Sequence, residues 1–141
     1  MPDPATRLAR ANDIPRLVEI RAAVRENRLS DPASIAAADY APYVADGRCW
    51  VWAAQGEAAG FAALDAEGAS VWALFVAPEA EGRGGGRALM NRLVGEARRR
   101  GLAELRLTTE AGSRAERFYR ASGWEPVGDD GKGATIMRLK L

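Results

Sequence analysis

Ile14, Leu17, Val18 and Val24, with Arg21 on the same stripe, recur at the three- and four-residue spacing that gathers side chains on one helix face. Asn12 or Asp13 stands where a cap is expected, and Pro15 falls in the first turn, where its missing N–H does no harm. Leu29-Ser30-Asp31-Pro32 interrupts the pattern. A second helix is predicted to carry Ile35, Ala36, Tyr40, Tyr43 and Val44, to stop near Asp46-Gly47, and to be kinked or split by Pro42. Ahead of both helices, residues 6–10 alternate loosely and predict a short strand.

A β region follows. Cys49–Ala54, residues 59–64 and Ser70–Val76 read as three strands joined by turns at Gln55-Gly56-Glu57 and Glu67-Gly68, which predicts an antiparallel meander. Trp50 and Trp52 share one face of their strand and are read as core. After Pro78, a polar, glycine-rich loop over 79–86 leads into a helical stripe of Leu89, Met90, Leu93, Val94 and Ala97. Arg98, Arg99 and Arg100 suit the negative end of that helix, and Gly101 stops it. Residues 105–109 alternate as a strand, and Ser113 caps a short helix through Ala121. Residues 128–133 read as a loop, and residues 136–141 as a last strand with Met137, Leu139 and Leu141 on one face. This order predicts an α+β, or mixed α/β, fold.

Composition narrows the chemistry. The 141 residues are expected to form one domain (1–141) able to bury a core without disulfide or metal staples. There is no His and one Cys, which excludes a Ser-His-Asp triad, a Cys-His pair and a multi-thiolate metal site; no metal is expected. Acid–base work must fall to Asp, Glu, Tyr, Lys, Cys, a terminus or water. A net charge of +1 argues against nucleic acid as the main partner, and no apolar run reaches the roughly 20 residues of a membrane span. Residues 1–10 lack an apolar signal core, and a lone Cys fits a reducing, cytoplasmic setting.

The segment Val76-Ala77-Pro78-Glu79-Ala80-Glu81-Gly82-Arg83-Gly84-Gly85-Gly86-Arg87 carries the most chemistry. It joins a strand to a helix, whose N-terminus leaves N–H groups unpaired and partly positive. Glycines let the backbone approach an anion closely, and Arg83 and Arg87 add cationic donors, so a pyrophosphate is favoured. From the glycines alone, a flexible charged turn is an equal reading. The segment is neither a Walker loop, since no Gly-Lys-Ser/Thr follows, nor a dinucleotide fingerprint, since Arg87 replaces the third glycine. A second cluster runs Ala115-Glu116-Arg117-Phe118-Tyr119-Arg120-Ala121-Ser122-Gly123-Trp124. By itself, Tyr119 reads as a half-buried structural tyrosine.

Together the two segments resemble the GNAT superfamily of acyl-CoA-dependent N-acetyltransferases. Phe75-Val76-Ala77-Pro78 followed by Glu81-Gly82-Arg83-Gly84-Gly85-Gly86 matches its strand-to-helix signature. Ala115 to Trp124 matches its Ala-x-x-Phe-Tyr-x-x-x-Gly-Trp motif. Glu81 stands where Gln or Arg is usual, and Gly112 where Asn is often found. The resemblance implies a central, mostly antiparallel sheet of six to seven strands flanked by about four helices, with the fourth and fifth strands splayed. It implies that acetyl-CoA is bound by Gly82, Arg83, Gly84, Gly85, Gly86 and Arg87 at the pyrophosphate, and by Phe75 and Val76 along the pantetheine arm. Ser113 and Arg114 stand where cofactor contacts are common, with a surface role an equal reading, and the N–H of Val76 or a neighbour would polarise the thioester.

The implied reaction is direct attack of a primary amine on the thioester through a tetrahedral intermediate. An oxyanion donor there is typically worth about 2.7–4 kcal/mol. Tyr119 is the implied catalytic acid. Its ordinary pKa near 10 against about 8.5 for a thiol requires no large shift. The acceptor, a small-molecule amine or a protein amino group, is expected against Arg25, Arg28, Tyr40 and Trp72. Arg25 and Arg28 share a helical face and suit a carboxylate, although a solvated face is the plainer reading of the pair. Asp65 and Glu110 are the candidate bases, each read first as a surface acid. The alternative function is a noncatalytic acyl-CoA-binding or sensor domain; another phosphate-ligand binder is a third reading. A homodimer is common in the family.

Overall fold

A computed structural model describes residues 5–24 and 36–141. Its strands are β1 (Thr6–Leu8), β2 (Cys49–Ala54), β3 (Glu57–Asp65), β4 (Ser70–Val76), β5 (Glu104–Glu110), β6 (Glu125–Asp129) and β7 (Ala134–Lys140). Its helices are α1 (Ile14–Ala23), α2 (Ala37–Ala45), α3 (Gly85–Arg99) and α4 (Arg114–Ala121). The strands form one seven-stranded sheet in the order β1-β2-β3-β4-β5-β7-β6, antiparallel throughout except for β4 beside β5. The α+β class and the mostly antiparallel sheet agree with the expectation.

Alternation along the central strands divides the core between two faces. A Cβ on Gly60 would lie 3.2 Å from Leu89 of α3, whereas the next residue, Phe61, packs its ring on Tyr40 of α2. So α1 and α2 cover one face of the sheet and α3 covers the other. Leu17 and Ile20 from α1, and Leu89 and Leu93 from α3, are fully buried, each burial contributing roughly 1.5–3 kcal/mol.

The parallel pair positions the site. β4 and β5 meet at one register point, Ser70 opposite Arg106, where the Arg106 N–H donates to the Ala69 carbonyl at 2.9 Å. Just beyond, the β3–β4 register shifts. Ala63 faces Ala73 and Leu64 faces Val71, so Trp72 is the extra residue of a bulge. Bulges bend a strand and raise its twist. From there β4 and β5 diverge, and the rest of β4 keeps β3 as its ladder partner.

Three elements differ from expectation. Residues 128 and 129 belong to β6, not to a loop. β6 gave no signal because all its residues are exposed and it contains Pro126 and Gly128, both poor strand formers tolerated at an edge. Pro42 does not split α2, whose carbonyls still accept beyond it, as from Asp46 N–H to Pro42 at 3.1 Å. The glycine-rich loop is shorter than expected. Pro78–Ala80 is a 3₁₀ turn, and Gly85 and Gly86 already lie in α3. Among the described residues, no helix is long and apolar enough to cross a membrane.

Candidate active site

The splay opens a cleft of about 880 Å³ between β4 and β5, reaching the start of α3, the inner side of α4 and Arg21 of α1. One wall is backbone. Gly82 and Gly84 take left-handed φ values of 80° and 86°, which other residues adopt only under strain, and their Cβ directions meet nothing within 4 Å. Gly85 is a glycine for a different reason. A Cβ there would lie 2.5 Å from the Trp52 ring, so α3 sits tightly on the sheet. The N-terminus of α3 carries no side-chain cap, and the Ala88 N–H is the first to find the Gly84 carbonyl, at 3.1 Å. The amides before it are free to face a ligand. Gly82, Gly84, Gly85, Gly86 and Arg87 line the cleft, whereas Arg83 does not.

The exposed edge of β4 is the second backbone feature. The Ala77 N–H donates to Ala59 of β3 at 2.7 Å. Strand alternation turns the preceding amide, at Val76, to the opposite edge, where β5 has moved away. Phe75 and Val76 both line the cleft.

Tyr119 of α4 also lines the cleft, although only 7% of its surface is exposed. It packs edge-on against Phe118 and Trp124, with ring centroids 5.4 Å and 5.7 Å away. Burial pushes its phenol well above the ordinary value, so it stays protonated. This corrects the expectation of an unshifted tyrosine. Ser113 is not brought to the cleft. It is buried, and its hydroxyl accepts from the Glu116 N–H at 3.1 Å, capping α4. Glu81, the departure from the usual motif, pairs with Arg114 at the start of α4. The ion pair bridges the rim and offsets the negative charge beside the glycine turn.

The opposite end of the cleft is built from side chains. Trp72, aimed by the bulge, stacks on Tyr43 at 4.4 Å and meets Tyr40 edge-on at 5.0 Å. Tyr40 is 1% exposed and sits behind Trp72 instead of lining the cleft, which corrects its expected contact with an acceptor. Arg21 takes that place. Its guanidinium carbon lies 5.0 Å from both the Trp72 and Phe75 ring centroids, and the Tyr40 phenol is close by. Only 8% of Arg21 is exposed, and its Nε and Nη1 have no hydrogen-bond partner. Cation–π contact gains about 2 kcal/mol when desolvated. An unpaired buried ion costs several kcal/mol, so the rings offset only part of the penalty. Arg25 and Arg28 lie outside the described residues. The sequence signal for Arg21 is a cation on the apolar stripe of α1.

Of the two candidate bases, Asp65 is engaged in a turn, accepting from the Gly68 N–H at 3.1 Å and the Ser70 hydroxyl at 3.4 Å. Glu110, at the end of β5, lines the cleft. Among the described residues, no group of three or more His, Cys, Asp or Glu could hold a metal ion.

Solved structures share this architecture. The chain is similar to the PaiA N-acetyltransferase from Thermoplasma acidophilum, solved with coenzyme A. The identity is 18% and the TM-score 0.76, covering 96% of this chain and 98% of that one. It is similar to a GCN5-related N-acetyltransferase from Rhodopseudomonas palustris at 24% identity and TM-score 0.76, over 100% and 98% of the two chains. It is also similar to a ribosomal-protein-alanine N-acetyltransferase from Brucella melitensis at 25% identity and TM-score 0.73, over 96% and 99%. No curated protein is significantly similar to it in sequence. The family model described as the acetyltransferase (GNAT) family matches residues 14–124. The splayed strands, the glycine turn and the tyrosine helix thus have a common source: the chain belongs to the GNAT family of acetyltransferases.

Proposed function

We propose that this protein is an N-acetyltransferase that moves an acetyl group from acetyl-CoA to a primary amine, with residues 1–141 acting as one domain. The observation that carries the reading is the cleft itself, with free amides at one end, an unpartnered strand edge along its length and a protonated phenol in its wall.

The residues fit the donor. A diphosphate needs N–H donors and close backbone approach, which the uncapped first turn of α3 and the open Cβ directions of Gly82 and Gly84 provide. Arg87 adds charge. An amide-bearing arm needs a strand edge with free groups, and β4 offers one at Val76, whose backbone groups face away from β3. Bound there, acetyl-CoA supplies a thioester: the amine nitrogen bonds to the acetyl carbon, the carbon–sulfur bond breaks, and a proton ends on sulfur.

The remaining work belongs to the chain. The Val76 N–H, pointing into the gap, donates to the acetyl oxygen as it gains charge, and a fixed donor of this kind stabilises it without reorganisation. Tyr119 donates a proton to the leaving sulfur. Its raised pKa does not forbid the transfer, because the same burial destabilises a thiolate in the same cleft. Glu110 takes the proton of the amine, directly or through water. A noncatalytic acyl-CoA binder would need the same cradle, and would use Tyr119 only for its packing on Phe118 and Trp124.

The lone Cys49 is buried and requires no oxidising compartment, which suits the cytoplasm. The test has two stages. Acetyl-CoA and CoA should raise the melting temperature and ATP should not. Thiol should then be released from acetyl-CoA in the presence of an amine. Equal stabilisation by ATP would overturn the cofactor assignment, and CoA binding without thiol release across amines would overturn the transferase assignment.

A further inference from the structure

We propose that Arg21 binds a carboxylate of the acyl acceptor, so that the acceptor is a small amine carrying its own carboxylate, of the amino-acid type. The inference rests on the transferase reading above and specifies its second substrate.

Arg21 is a built feature. The guanidinium lies against the Trp72 and Phe75 rings, 5.0 Å from each centroid, and Tyr40 backs the Trp72 ring edge-on. These contacts fix its position, yet they leave Nε and Nη1 without a partner, in a side chain more than nine-tenths buried that lines the cleft. Among the described residues, no carboxylate forms an ion pair with it; every ion pair there goes to another arginine. Desolvated N–H donors of a cation call for an anion, and a ligand can supply one.

Position selects the ligand's chemistry. Phe75, beneath the guanidinium, immediately precedes Val76, whose amide faces the gap where the acetyl group is held. One strand residue spans about 3.3 Å. An anion on Arg21 therefore lies only a short carbon chain from the reacting amine. The other cations lining the cleft, Arg87 and Arg114, stand with the glycine turn at the opposite end. A single guanidinium with aromatic walls suits a monoanionic carboxylate better than a phosphate, for which several donors usually converge.

The experiment compares matched acceptors: common α-amino acids, their carboxamides and the corresponding decarboxylated amines. Thiol release from acetyl-CoA and thermal shift in saturating CoA are the readouts. The best acid should exceed its own amide in kcat/KM by roughly 10- to 150-fold, the range for hydrogen bonds to a charged group. In Arg21→Met, whose side chain can still pack between the rings, the acid-to-amide ratio should fall to near one. Arg21→Lys, which keeps charge but loses the planar fork, should lie between. Retained CoA binding by the variants reports that they fold, and the wild-type acid-to-amide comparison stands without them. Amines lacking a carboxylate that serve as well as acids would overturn the inference and leave the transferase intact. So would acids that neither react nor stabilise the protein, or a ratio that survives in Arg21→Met. A wild-type protein that does not bind CoA at all would overturn the transferase reading and this inference with it, a distinguishable result.

Discussion

The two ends of the cleft are made from different materials. At the glycine turn the functional groups are main-chain amides, held by Gly82 and Gly84 in left-handed turns and by Gly85 pressed against Trp52. At the other end they are side chains from α1, α2 and β4, stacked as Arg21, Trp72, Tyr43 and Tyr40. Backbone donors are the same whatever the sequence, so the first end suits a constant ligand. Side-chain stacks differ with each substitution, so the second suits a ligand that varies from one relative to another. The comparison separates what the fold supplies to any member of its family from what this chain adds.

The difference can be attacked at each end. The largest expected effect is at Gly85, where a side chain has no room. Gly85→Val should cost about 3 kcal/mol in denaturant unfolding, at the upper end for overpacking, and should abolish CoA binding in calorimetry. Gly84→Ala meets open space, so only its backbone strain should appear, about 1 kcal/mol. Equal losses in the two variants would remove the distinction between crowding and strain in this turn. Next is Tyr119→Phe, which should lower kcat by about 100-fold, the lower range for a general acid, with CoA affinity unchanged. An unaltered kcat at saturating substrates would take Tyr119 out of the chemistry.

A smaller effect concerns how α1 is held, and hence where Arg21 lies. Asp13 accepts from both terminal nitrogens of Arg7, at 2.8 and 2.9 Å, and from the Arg10 N–H at 2.7 Å. The Arg7 guanidinium lowers the Asp13 pKa below its ordinary carboxylate value. A group whose folded pKa is depressed stabilises above its unfolded pKa and loses that contribution as pH falls through the folded value. Asp13→Asn should therefore destabilise by about 1 kcal/mol at neutral pH, kept small because Arg7 is partly exposed. The deficit should shrink below pH about 4 as the wild-type carboxylate is protonated. A deficit independent of pH would mean that the ion pair is not its source. The smallest effect is at the rim, where Glu81→Gln should release Arg114 toward the diphosphate. CoA binding should tighten by a few fold at low salt, and the gain should fade as salt screens it. Weaker binding by this variant would show that Glu81 helps to hold the turn open.

How much of this was legible in the sequence follows the same division. The meander, the apolar stripe of α3 and the cap at Ser113 were readable because each follows from local pattern: β2 and β4 have the bounds expected, and the Ser113 hydroxyl meets the Glu116 N–H. The glycine turn was readable because backbone chemistry leaves a compositional mark. The side-chain end was not. Tyr40 looked available because periodicity fixes a helix face but not what stands in front of it, and Trp72 stands there. Arg21 passed as part of an apolar stripe because its rings come from β4, about fifty positions onward. The exposed strand β6 left no hydrophobic alternation to find.

Backbone amide NMR during a coenzyme A titration tests the central claim most directly. The largest shifts should gather at Val76 and at residues 82–87, with slowed hydrogen exchange at those amides. Shifts centred on another surface, or saturation binding that leaves the α3 N-terminus and the β4 edge unmoved, would contradict it.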